Sequence, residues 1–244
     1  NGDELHAFED LVQDQIDSFD KHNYGYINDQ VIKHRDLIRM LLMKQDAFLT
    51  ENNKIDLFTD GHKLYEKVLE DIYNAQDYIH LEYYTFELDG LGKRILDALE
   101  TKLREGLEVK LLYDDVGSKK VRLSKFKHFR ALGGEVEAFF PSKVPLINFR
   151  MNNRNHRKII IIDGQIGYIG GFNVGDDYLG LGKLGYWRDT HTRVQGEGID
   201  ALQLRFILDW NSQSHRPQFK FDQKYFPKKN GDKGNTAIQI ASSG

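Results

Sequence analysis

Four isoleucines in a row, Ile159 to Ile162, constrain this chain more than any other stretch. A β-branched run of that kind reads as a strand buried on both faces. Asp163-Gly164 follows as a two-residue hairpin turn. Ile166, Tyr168 and Ile169 carry the chain back to the pair Gly170-Gly171. Side chains alternate along a strand, so His156 and Lys158 share one face at its start. The hairpin returns Gly170 to Asn173 to the same end. An imidazole, an ammonium and an amide then meet beside two glycines that let backbone approach closely. That set suits a phosphate: a neutral imidazole attacks phosphorus while Lys158 and Asn173 hold its oxygens.

The chain has 244 residues, enough for one large domain or two small ones. Its net charge of -3 argues against nucleic acid as the main partner, although a local basic groove stays open. It holds no cysteine, which excludes disulfides, thiolate metal sites and thiol nucleophiles and fits the cytosol. No apolar run approaches the roughly 20 residues of a membrane span. The first residue is Asn1 rather than Met, so a fragment of a longer protein is expected.

Residues 1–46 form a helical segment set apart from the rest. Val31, Ile32, Leu37, Ile38, Leu41 and Leu42 make an apolar stripe flanked by Lys33, Arg35, Arg39 and Lys44. Two readings stand: a helix lying on a membrane or partner, or one packed on the domain. Asp20 to Gly25 faintly resembles a calcium loop. Tyr24 at its fifth position and Val31 at its twelfth, where a bidentate Glu is needed, make it a turn instead. From Asn53 strands alternate with helices, which predicts an α/β sandwich around a largely parallel sheet made mixed by the hairpin. Expected strands are 55–58, 78–86, 107–113, 136–140 and 187–194. Expected helices are 61–72, 90–103, 124–132 and 199–210, the last with Leu202, Phe206 and Leu208 inward. The loop Phe139 to Phe149 either guides apolar tails or is an ordinary connection. Residues 216–234 read as a linker or an excursion, and 237–241 as a strand that breaks off. The domain reading is 1–46 helical, 47–235 an α/β domain and 236–244 a terminal strand; the resemblance that the motifs below carry implies that the first segment is membrane-proximal and that the last opens a second half.

His156-x-Lys158-x4-Asp163 followed by Gly170-Gly171-Phe172-Asn173 resembles the HKD signature of the phospholipase D superfamily. The flanks Thr59 to Gly61, His80 to Tyr84, Tyr113 to Ser118, Arg154 to Lys158 and Trp187 to His191 are similar to the first half of bacterial cardiolipin synthases. The resemblance runs from about Leu49 to Gly244. It implies a phospholipase D-like α/β sandwich, no metal and no cofactor. It also implies hydrophobic spans upstream, a location at the cell membrane with the catalytic domain on the cytoplasmic face, and phosphatidylglycerol and anionic lipid as partners. His156 is then the nucleophile that forms a phosphatidyl-histidine, and a second alcohol displaces it. If that alcohol is another phosphatidylglycerol, cardiolipin and glycerol result. Asp189 matches the family's histidine-orienting acid. Asp163 matches the motif's aspartate, which the turn already explains. The general acid is the histidine of a second motif. This chain has one motif, so either a second half follows or two chains pair, and the chain alone is expected to be inactive.

Several positions keep two readings. Gly170 and Gly171 wall the phosphate or only end a strand. Glu82, with Tyr84, Asp114 and Asp115, contacts the headgroup or caps locally at strand ends. His191 lies two residues from Asp189 on the same face. The competing functions are a single-motif phosphodiesterase or nuclease acting as a homodimer, and a non-catalytic module binding anionic lipid.

Overall fold

The computed structural model describes residues 10, 12–18, 29–119, 121–139, 155–182, 185–213, 219–230 and 234–241. The loop Phe139 to Phe149 and the Asp20 to Gly25 turn fall almost wholly outside them. One eight-stranded sheet organises the molecule. Its strands are β1 (Leu49–Phe58), β2 (Tyr78–Tyr83), β3 (Glu108–Asp114), β4 (Glu135–Phe139), β5 (Lys158–Ile162), β6 (Ile166–Gly170), β7 (His191–Gly196) and β8 (Thr236–Gln239). Their order is β4-β3-β2-β5-β6-β7-β1-β8. The mixed α/β sandwich is as expected, but the balance differs. Only β2 with β3 and β3 with β4 run parallel, and the other neighbours are antiparallel. The helical crossovers set the parallel half; the hairpin and the strands after it set the rest.

The isoleucine strand lies at the centre, between β2 and β6, and both β2 and β5 are buried along their whole length. Ile160 and Ile162 join one core, with Tyr83, Tyr168 and residues of α4 (Gly61–Asn74) and α5 (Gly90–Arg104). Ile159 and Ile161 join the other, with Leu202, Phe206 and Trp210 of α7 (Ile199–Gln213). Burying four isoleucines this way contributes on the order of 1.5–3 kcal/mol each. Asp60 and Asp89 cap α4 and α5, accepting from the amides of Lys63 and Gly92.

Four local expectations need correction. β1 begins at Leu49, not Ile55, because buried Asn53 satisfies its own polarity. Its amide donates to Thr50 and to the carbonyl of Thr236, and its oxygen accepts from Gly198. Leu208 is exposed; helical spacing turns Asp209 inward beside Trp210 instead. Residues 219–226 are no free linker: Phe219 and Tyr225 are buried in the α7-side core. The strand expected from Trp187 starts only at His191, so Asp189 precedes it.

A short helix α1 over 12–18, α2 (Asp29–Lys33) and α3 (Arg35–Gln45) sit at the β1–β8 edge. Val31, Ile38 and Leu42 pack there on Phe48 and Leu49. Leu37, Met40 and Met43 of the same stripe stay exposed. No helix among the described residues is long and apolar enough to cross a membrane. β8 pairs with β1 and forms the edge of this sheet. The remaining short helix, α6 (Lys127–Ala131), packs Phe129 into the α4-side core.

Asp163 supports the fold directly. It adopts a left-handed backbone (φ 54°), and its carboxylate accepts the amides of Gln76, Asp77 and Tyr78 at 2.8–2.9 Å. The hairpin turn is thereby sewn to the start of β2. Asp163→Ala is expected to lose about 2–4 kcal/mol in urea unfolding, with Asp163→Asn losing less, since charged hydrogen bonds contribute roughly 1.5–3 kcal/mol. A loss below about 0.5 kcal/mol, the scatter of ordinary surface substitutions, contradicts this role.

Candidate active site

The site forms where β5 begins and β2 and β6 end. Tyr83 pairs with Lys158 across β2 and β5. Gly170 pairs with His191 across β6 and β7. His156 is exposed just before β5, and Lys158 is buried just inside it. The Lys158 Nζ lies 3.0 Å from His156 Nδ1 and donates to the His156 carbonyl at 2.6 Å. The Tyr84 ring stacks at a tilt 4.5 Å from the imidazole and 5.2 Å from the ammonium. The expected shared face is therefore present.

The environment tunes both groups. Burial, and then the Lys158 charge, lower the His156 pKa below its ordinary value, so the ring is neutral at pH 7. Asp114 and Asp189 oppose that shift through their charge. Burial pushes the Lys158 ammonium down to about 8, with Asp189 again opposing. Asp189 is thus within electrostatic reach of both, while its Oδ1 accepts the Thr190 amide at 2.7 Å. It acts on His156 here through charge and not through a direct hydrogen bond.

Gly170 and Gly171 have a more specific use than walling a phosphate. A Cβ on Gly170 collides with the backbone and ring of His191; one on Gly171 collides with the Asp189 carboxylate. The glycines admit the 189–191 segment to the site. His191 is fully buried there, and neither ring nitrogen has a partner among the described residues. Burial, then the Lys158 charge, push its pKa down to about 3, so it is neutral.

Asn173 arrives at the same end, but its amide is engaged. Its oxygen accepts the Thr85 amide at 3.0 Å, and its nitrogen donates to the Tyr178 hydroxyl at 2.6 Å. One amide hydrogen remains for a phosphate oxygen. Tyr178 left no signal in the sequence, since a lone tyrosine in a glycine-rich stretch has no periodicity. Glu82 is not brought to the site: it is fully buried on the α7 face. Asp163 lies at the other end of β5, in the turn. Asp114 caps locally, accepting from Val116 and Gly117 at 2.9 Å. Among the described residues no group of three or more His, Asp or Glu is placed to hold a metal.

Residues 68–182 match the family described as cardiolipin synthase, PLD-like domain. Over 244 residues the chain is 98% identical to cardiolipin synthase 1 of Staphylococcus epidermidis and 73% identical to cardiolipin synthase 1 of Staphylococcus aureus. Each match covers 100% of this chain and 50% of the relative. The chain therefore spans about half the length of the curated relatives it matches. It also superposes on phosphatidylserine synthase from Haemophilus influenzae with a TM-score of 0.55 and 17% identity, covering 72% of this chain and 40% of that one. At that identity the likeness is one of fold.

The two pKa shifts set a pH window for any reaction that needs a neutral imidazole beside a charged ammonium at this site. Lys158 is charged below about 8 and loses its proton above it, so kcat/KM should fall as pH rises through that value. If a neutral His156 ring attacks, its lowered pKa moves the acidic fall to lower pH than an ordinary histidine gives. Lys158→Arg should remove the alkaline fall, because a guanidinium stays protonated. A pH–rate profile whose alkaline limb survives that substitution contradicts the assignment.

Proposed function

We propose that this chain, which belongs to the cardiolipin synthase family of phospholipase D-like proteins, supplies one half of a phosphatidyltransferase active site. The observation that carries the reading is the neutral, exposed His156 ring set 3.0 Å from a half-desolvated Lys158 ammonium. In the resting arrangement the ammonium donates to Nδ1. An arriving phosphodiester competes for that charge. As Lys158 turns to a non-bridging oxygen, Nδ1 is released to carry the ring proton, and Nε2 becomes the nucleophile. Nε2 attacks phosphorus, the ester bond to the departing glycerol breaks, and a phosphatidyl-histidine forms. The hydroxyl of a second phosphatidylglycerol then displaces the histidine, giving cardiolipin. The covalent step divides one hard displacement into two easier ones.

Protonating the departing alcohol requires an acid that His156 cannot supply while it attacks. His191 is buried and held neutral well below pH 7, so it does not fill that role. A second phospholipase D-like half is the natural source, and relatives twice this length have room for one. A lipid substrate calls for a membrane surface, and the family resemblance implies the cytoplasmic face for the catalytic domain. The exposed Leu37, Met40 and Met43 of α3, near Arg39 and Lys44, suit such a surface.

Full-length enzyme should turn over labelled phosphatidylglycerol vesicles and leave labelled DNA intact. His156→Ala should lower the lipid reaction on the order of 10³-fold or more, as loss of a covalent nucleophile does. This chain by itself should show no turnover. DNA cleavage without lipid turnover favours a nuclease, and undiminished lipid turnover in His156→Ala removes the nucleophile assignment.

A further inference from the structure

The two residues on either side of His156 point away from the active site, and each is tied down by a buried acid. Asn155 is buried, and its amide donates to Glu82 of β2. Arg157 pairs with Asp209 of α7 at 3.0 Å. Asp209 is itself buried and is held from its own helix by Arg205, whose Nε donates at 3.1 Å. The Arg157 amide donates to the Asn155 side-chain oxygen at 3.1 Å, closing a turn around His156. The Arg157 carbonyl accepts the Tyr84 amide at 3.0 Å. Asn155 and Arg157 are thus fixed on the α7 face by side chain and main chain. By alternation His156 and Lys158 face the other way.

Glu82 and Asp209 meet beneath this turn. Burial, then the Asp209 charge, push the Glu82 carboxyl well above its usual range. Its Oε2 is buried and receives no donor among the described residues, which fits a proton held there and shared with Asp209. Neutral Glu82 then accepts from Asn155 and donates to Asp209, so the two pins form one network. Two guanidiniums balance the single negative charge on Asp209.

We propose that Glu82 and Asp209 are positioning residues: acting through Asn155 and Arg157 from the opposite face of the sheet, they aim His156 at the phosphorus. The inference rests on His156 being the nucleophile. Neither acid touches substrate. Their effect falls on the orientation of the imidazole, and so on kcat rather than on lipid binding.

The test uses full-length enzyme and phosphatidylglycerol vesicles. Arg157→Ala leaves Asp209 paired with Arg205, so folding should survive. It and Glu82→Ala should each lower kcat by about 10²-fold, the size a misplacement of roughly 1 Å costs, with KM within about threefold. Glu82→Gln should restore most of what Glu82→Ala loses, because an amide both accepts from Asn155 and donates to Asp209. If Glu82→Ala does not fold, Arg157→Ala carries the test. Parental kcat in Arg157→Ala, alongside a dead His156→Ala, overturns this proposal alone. Glu82→Gln as impaired as Glu82→Ala also overturns it, since a carboxylate is then needed for itself. An active His156→Ala enzyme overturns both this proposal and the nucleophile reading.

Discussion

A strand buried on both faces has no freedom of register, and β5 is such a strand. A slip of one residue exchanges its two core faces, sending Ile159 and Ile161 toward α4 and α5 and Ile160 and Ile162 toward α7. The packing of four isoleucines therefore fixes the parity of every residue before them. His156 and Lys158 fall on one side, Asn155 and Arg157 on the other. The apolar centre of the protein decides where the His156 ring points.

Charge acts within that frame. Lys158 is desolvated enough to be pushed down to about 8, with the Asp189 charge opposing the shift, and it stays positive at neutral pH. The same ammonium helps keep His156 and the buried His191 neutral. Two glycines give the carboxylate its place: any side chain at Gly171 would push Asp189 out. Asp163, a member of the same signature, serves at the far end of the strand as a hydrogen-bond acceptor for the β2 amides. One sequence motif thus holds the His156–Lys158 pair and a structural turn residue at opposite ends of one strand.

Much of this was legible in the residues alone. The β5–β6 hairpin, the shared face of His156 and Lys158, and the caps Asp60 and Asp89 follow from periodicity and turn chemistry. The reach of Asp189 to the site, though not its hydrogen bond, followed from the family pattern. What stayed hidden depends on contacts between distant segments. Asn53 extends β1 through a polar run because Gly198 and Thr236 lie beside it. Residues 219–226 look like a linker until Tyr225 meets Glu108. Glu82, expected at the headgroup, belongs to the opposite face, where Arg157 and Asp209 meet it from distant stretches of the sequence. Parity along β2 puts Glu82 opposite Ile159, but only the known pairing of β2 with β5 reveals that.

The proposed chemistry turns on one covalent bond. Full-length enzyme mixed with phosphatidylglycerol carrying a labelled phosphate, quenched within a single turnover and digested, should yield one labelled peptide, with the phosphatidyl group on His156. Label on another residue, or product formed at full rate with no labelled protein at any time, contradicts it.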